Sequence, residues 1–147
     1  MPFVVRWPGN VPAGTISHQL VELTDLLATS AAIVNVKLPV GAAPDSRNIL
    51  PALPDAKLER PVREYSVHRS LHGVFALRQG PWKFVPHRGS GGFTDPRTID
   101  PAKEGGPIGQ LNNLESDPAE TRNVYAENPK VVARLSAILK KVQGRDL

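Results

Sequence analysis

The clearest pattern along the chain lies near its end. Val131, Val132, Leu135, Ile138, Leu139 and Val142 recur at spacings of three and four, which places them on one stripe of a helix. Asn128 suits the position ahead of that helix, Pro129 its first turn and Gly144 its end. Upstream, over residues 64–87, the period changes to short runs. Tyr65-Ser66-Val67-His68, Val74-Phe75-Ala76-Leu77-Arg78 and Trp82-Lys83-Phe84-Val85 predict three strands, the last two joined by the turn residues Gln79-Gly80-Pro81. Short connections favour an antiparallel meander, and residues 108–114 supply a fourth strand. The terminal helix then lays its stripe across the strands as a second layer.

The first part of the chain is patterned less regularly. Residues 2–7 (PFVVRW) predict a short strand that stops at Pro8-Gly9, residues 10–17 a loop, and residues 19–23 a second short strand. Thr24 or Asp25 is positioned to cap a helix running to about residue 35. Leu26, Leu27, Ser30, Ala31, Ile33 and Val34 give that helix a broad apolar or small face. Residues 39–61 hold five prolines, which predicts a crossing segment with a short helical turn near residues 49–53 and a boundary between two units. Residues 88–109, with six glycines and three prolines, predict a long loop, and long loops in compact domains often carry function.

Composition narrows the chemistry. At 147 residues the chain fits one domain or one lobe of a larger protein. There is no cysteine, which excludes disulfides, thiolate metal sites and a cysteine nucleophile. No apolar run approaches the roughly 18 residues of a membrane span, and the first residues lack the pattern of a signal peptide. The net charge of +4 comes from dispersed cations. The densest cluster, Lys140, Lys141 and Arg145, stands at the C-terminal end of the terminal helix, where cations complement the helix dipole. With no aromatic residues interleaved to stack bases, neither nucleic acid nor membrane is an expected partner.

Four segments, in order, resemble the C-terminal third of the type I, arylsulfatase A-like sulfatases. Pro2-Phe3-Val4-Val5-Arg6-Trp7-Pro8-Gly9 is similar to that family's strand leading to a Trp-Pro-Gly turn. Thr24-Asp25-Leu26-Leu27-Ala28-Thr29 resembles its Asp-Leu-x-Pro-Thr helix start, with Ala28 where proline is usual. Residues 73–83 (GVFALRQGPWK) resemble a hairpin ending in an aromatic residue and lysine. Leu114-Glu115-Ser116-Asp117-Pro118-Ala119-Glu120-Thr121-Arg122-Asn123 resembles the Leu-x-x-Asp-Pro-x-Glu-x-x-Asn signature before the last helix. One departure is Leu111-Asn112-Asn113-Leu114 where the family usually has Leu-Tyr-Asp-Leu.

The resemblance implies a division of labour. Family members use a formylglycine made from Cys/Ser-x-Pro-x-Arg, with a carboxylate-held calcium ion, lysine and histidine neutralising the sulfate. All of these precede the segment that aligns here. The one Ser-x-Pro, Ser116-Asp117-Pro118, is followed by Ala119-Glu120 and lacks the arginine. Hence no catalytic residue and no cofactor are expected in this chain, while calcium is expected in the complete enzyme. Asp95, Asp100 and Glu104 are read as solvated loop charge. Asp117 is expected to accept backbone N–H groups and start a turn, with Glu120 and Asn123 fixing the route into the last helix. Because the family's smaller subdomain lines part of the substrate cleft, His68, Arg69 and His72 at a strand end, with Arg88 in the glycine-rich loop, are the candidate substrate-binding residues.

The expected fold is α/β of the α+β type. Residues 1–61 form the edge of a larger α/β sulfatase domain plus a linker, and residues 62–147 form a C-terminal subdomain with a four-stranded antiparallel sheet and a terminal helix. Unpaired edges imply exposed apolar surface around Val4, Val5, Leu26 and Ile33. The expected partners are an N-terminal catalytic sulfatase region and, through it, a sulfated small molecule or glycan. Met1 at what is mid-protein sequence in the family suggests a fragment or a chain that pairs with a separate catalytic chain. The competing functional class is a stand-alone basic module binding an anionic polymer such as a sulfated polysaccharide. Nothing in the sequence assigns a compartment.

Overall fold

The structure, a computed structural model, describes residues 3–54, 58 and 60–144. Pro2 and Arg145, named above, lie outside the described residues. The chain divides into two compact units, Met1–Glu64 and Tyr65–Leu147.

The second unit follows the hydrophobic pattern closely. Strands β1 (Ser66–Arg69), β2 (Phe75–Gln79), β3 (Trp82–Val85) and β4 (Gln110–Asn113) form one sheet in the order β1-β2-β3-β4. All three pairings are antiparallel. The register sets Val67 opposite Leu77, Leu77 opposite Phe84 and Phe84 opposite Leu111. One row of apolar side chains therefore crosses the whole sheet on one face, because alternate residues of a strand point to the same side. Gly80, at φ 55°, supplies the positive φ at the first central position of the two-residue turn between Gln79 and Trp82.

The terminal helix, Pro129–Gln143, buries Leu135 and Leu139 against this row. Leu77, Phe84, Leu111, Leu135 and Leu139 form the core, with Tyr65, Val67, Phe75, Trp82, Val124, Tyr125, Val131, Val132 and Ile138 packed around it. Pro129 occupies the first turn and Gly144 the end, as expected. Asn128 sits ahead of the helix but does not cap it through its side chain. Its amide donates to the Val124 carbonyl instead.

The opposite face of the sheet is covered near β4 by the segment that follows it. Asn112 is buried and donates to the Arg122 carbonyl at 3.0 Å. Asn123 grips β4 from both sides, accepting from the Leu111 N–H and donating to the Gly109 carbonyl, each at 3.0 Å. Asp117 starts the turn as expected, accepting from the Arg122 N–H at 2.8 Å and the Thr121 hydroxyl at 3.0 Å. Glu120 departs from expectation. Its carboxylate leaves the backbone and pairs with Lys83 at 2.7 Å.

The first unit contains helix α1 (Asp25–Ile33) and a 3-10 turn, Leu50–Ala52. Neither of the two strands expected here forms among the described residues. Residues 3–7 and 19–22 make no ladder, since a strand exists only when a neighbour supplies its hydrogen bonds. The Pro8-Gly9 turn does form, with the Asn10 and Val11 N–H groups donating to the Trp7 carbonyl. Val4, Leu26 and Ile33 are exposed, as the unpaired edge implied, whereas Val5 is half-buried.

Helix α1 turns inward not its apolar side chains but Asp25 and Thr29. Thr24 makes no capping bond. Asp25, fully buried, instead fastens the surrounding loops to the helix. Its carboxylate accepts from the Glu22 and Arg47 N–H groups at 2.8 Å and pairs with the Arg63 guanidinium, which also reaches Glu22 at 3.2 Å. Thr29 accepts from the Ile49 N–H at 3.0 Å and returns its own proton to the Asp25 carbonyl. The resemblance noted at residues 24–29 thus rests on a polar clamp.

Candidate functional site

The register of the sheet fixes which connections meet. Arg69 lies opposite Phe75, and Val85 opposite Gln110. The ends of β1 and β3 and the starts of β2 and β4 therefore share one end of the sheet. The turn at residues 70–74 and the connection at residues 86–109 both emerge there. They touch: a Cβ added at Gly91 would lie 3.0 Å from the Val74 side chain, so only glycine permits the approach.

This end collects all four candidate residues. His68 and Arg69 close β1, and both are exposed. The His68 Nε2 lies 3.2 Å from the Ser66 hydroxyl. The Arg69 guanidinium lies over the Phe75 ring, 5.6 Å from its centre, which holds the cation without neutralising it. Among the described residues no carboxylate pairs with Arg69. His72 is exposed at the crown of the turn, which Ser70 closes through bonds to Val74 and Gly73. Arg88 is half-buried and donates from Nη1 to the Gly105 carbonyl. That bond uses one corner of its guanidinium fork.

The long connection is more ordered than its glycine content suggests. The Ser90 and Gly91 N–H groups donate to the Pro96 and Arg97 carbonyls, and the Ile99 N–H to the Arg88 carbonyl. The Gln110 amide ties the His87 and Gly89 carbonyls to β4 at 3.0 Å each. A short helix, α2 (Pro101–Glu104), interrupts what the sequence predicted as continuous loop. Asp100 caps it by accepting from the Ala102 N–H, so this acidic residue has a structural task.

Metal-binding geometry is a separate matter. Among the described residues, no group of three or more His, Cys, Asp or Glu side chains is placed to hold a metal ion. The Ser116-Asp117-Pro118 segment is occupied in its turn, with the Ser116 hydroxyl facing the Asn113 carbonyl. A cleft of about 280 Å³ in the first unit is lined by Phe3, Val5, Gln19, Ile49 and other uncharged residues, with no titratable group among the described lining residues. No described helix is long and apolar enough to cross a membrane.

No family model matches the chain. Over 145 residues, 99% of its length, it is 32% identical to the N-acetylgalactosamine-6-O-sulfatase of Bacteroides thetaiotaomicron, of which it spans 27%. Over 65 residues, 44% of the chain, it is 40% identical to the N-acetylgalactosamine-6-sulfatase of Sus scrofa, of which that stretch spans 12%. A solved structure from work on the metabolism of multiple glycosaminoglycans by Bacteroides thetaiotaomicron superposes with a TM-score of 0.77 at 32% identity. The match covers 98% of this chain and 29% of that one. The four-stranded antiparallel sheet with its helices is thus shared with a sulfatase structure. The chain belongs to the sulfatase family and corresponds to a C-terminal part of such a protein.

Proposed function

We propose that this chain is the C-terminal portion of a sulfuric ester hydrolase acting on a sulfated sugar, that it completes the fold and lines the substrate cleft, and that it does not hydrolyse esters alone. The observation that carries this reading is the 32% identity, across nearly the whole chain, to a protein that it spans by only about a quarter. On this reading, residues 1–61 are the edge of the large sulfatase domain and residues 62–147 the smaller subdomain. The nucleophile and a calcium ion belong to a region of sequence ahead of this one. The absence of any cysteine supports that assignment, as does the engagement of Ser116 in a turn. Among the described residues, no cluster of carboxylates fits a calcium site.

His68, Arg69, His72 and Arg88 are the residues we assign to substrate contact. Their shared position at one end of the sheet supports this, as does the unpaired guanidinium of Arg69. Cations there would hold the anionic or sugar groups of a substrate while the reacting sulfur is handled elsewhere.

An aryl sulfate assay tests the central claim. The 147-residue chain alone should show no turnover, and the same chain joined to the N-terminal sulfatase region should hydrolyse the ester. Turnover by the chain alone would overturn the reading. In the joined protein, His68→Ala with His72→Ala should raise KM for the sulfated sugar substrate, and an unchanged KM removes both residues from the site.

A further inference from the structure

Among the described residues of the second unit, three large apolar side chains stand exposed while the others are buried or half-buried: Leu71, Phe93 and Ile108. Single exposed apolar residues carry no message. These three, however, all lie on the two connections at the same end of the sheet, in the turn at residues 70–74 and the stretch at residues 86–109. Phe93 is 81% exposed, although its loop is held tightly. Besides the Ser90–Pro96 and Gly91–Arg97 backbone bonds, the Ser90 hydroxyl donates to the Thr94 carbonyl and accepts from the Gly92 N–H. The loop is thus closed on itself from both sides of Phe93. An aromatic ring held in water by an ordered loop is prearranged for contact, because little further ordering is needed when something covers it.

The neighbouring turn supplies charge. Residues 66–80 contain no carboxylate, and Arg69 stands exposed over Phe75. Phe93 and His72 each lie two residues from the Gly91–Val74 contact, so each is at most about 7 Å of chain from it. We propose that this end of the sheet is a glycan platform. Phe93 receives the apolar face of a pyranose ring, while Arg69 and His72 take an anionic sulfate on the same or the adjoining sugar. The proposal rests on the sulfatase reading only for the choice of ligand. Phe93 becomes a specificity residue, one that favours a sulfated oligosaccharide over a small aryl sulfate. An exposed ring on one connection and the Arg69 guanidinium at the turn that this connection touches match a sugar face and a sulfate on the same or the adjoining sugar. A protein partner would instead need a contiguous apolar area with a polar rim.

The test is direct binding, without catalysis. A tetrasaccharide containing 6-O-sulfated N-acetylgalactosamine is titrated into the 147-residue chain by calorimetry. Saturable binding is expected, weakening as salt rises. Phe93→Ala should weaken it by about tenfold or more, the change that losing one covered aromatic side chain brings. Phe93→Trp should retain it, and Arg69→Gln should remove the preference over the desulfated tetrasaccharide. Phe93 is exposed, so Phe93→Ala should leave the melting temperature unchanged, which separates lost contact from lost fold. Equal affinity in Phe93→Ala, or no saturable binding by the unmodified chain, would overturn the platform. So would a joined protein in which Phe93→Ala lowers the melting temperature, because the rest of the sulfatase would then be what covers the ring. The sulfatase reading is decided separately, by hydrolysis in the joined protein, so each claim can fail alone.

Discussion

In the unit Tyr65–Leu147 the buried core is Leu77, Phe84, Leu111, Leu135 and Leu139, a continuous apolar set shared by three strands and a helix. In the unit Met1–Glu64 the buried set among the described residues is Ile49 and Ala52 together with Asp25 and Thr29. Most of the exposed large apolar side chains belong to this first unit, among them Phe3, Val4, Ile16, Leu23, Leu27, Val34 and Val40. The second unit is held by removal of apolar surface from water, which is non-directional and tolerant of detail. The first is held by a buried ion pair and by directed hydrogen bonds that depend on each partner. The comparison implies that the first unit loses more from one polar deletion than the second would.

The largest effect should come from the clamp. Asp25→Ala leaves the Arg63 guanidinium, whose side chain is 10% exposed, without its buried partner. It also strands the Glu22 and Arg47 N–H groups. Breaking a buried pair in this way costs roughly 3–5 kcal/mol. Amide exchange should accelerate along α1 and around residues 45–50 while β3, β4 and the terminal helix keep their protection. Equal acceleration in both units would break the comparison, since it would mean that the two unfold as one block.

Next in size is the reciprocal experiment. Leu135 is fully buried between helix and sheet, and Leu135→Ala should cost about 2–5 kcal/mol through lost transfer energy and the cavity left behind. The loss should fall on the second unit, seen as a lower denaturant midpoint for a probe at Trp82. The α1 amides should be little changed.

These two residues also mark what the sequence made legible. The stripe containing Leu135 is a local pattern, and the strands' alternation is local too, so the sheet and the terminal helix of the second unit could be read from spacing. Asp25 could not, because its partners Arg47 and Arg63 lie 22 and 38 residues away. Periodicity arguments assign a helix's polar residues to solvent, and here they point inward. The strands expected at residues 2–7 and 19–23 had the right composition but lack neighbours, and pairing is not a property of one segment. Helix α2 was legible in Asp100-Pro101, a capping residue followed by a first-turn proline. As candidates, His68, Arg69, His72 and Arg88 follow from residue type and the family resemblance, whereas their common end of the sheet follows from register. Phe93 emerges only once the loop's internal bonds are known.

A smaller effect is expected at the surface ion pair. Lys83 and Glu120 are each about one-third exposed, so Lys83→Ala should cost at most about 1 kcal/mol, and less at high salt. A salt-independent loss would mean that the lysine stem, packed on the sheet face, matters more than its charge.

The smallest effect is a pH dependence confined to the second unit. The Asp117 carboxyl is held below its ordinary value of 3.8, first by the Arg122 N–H and then by Thr121. A carboxyl with a lowered folded value binds protons more readily when unfolded. Its contribution is therefore fully present well above pH 3.8, shrinks as pH falls through that value, and is gone below the folded value. Asp117→Asn keeps an acceptor for the Arg122 N–H but removes the titration. The stabilities of the two proteins should therefore differ above pH 5 and converge as pH falls below 3.8. Because the carboxyl is open to water, the gap should be small and should be read as a shift of the second unit's denaturant midpoint. A gap that widens on acidification would have the wrong sign for this turn.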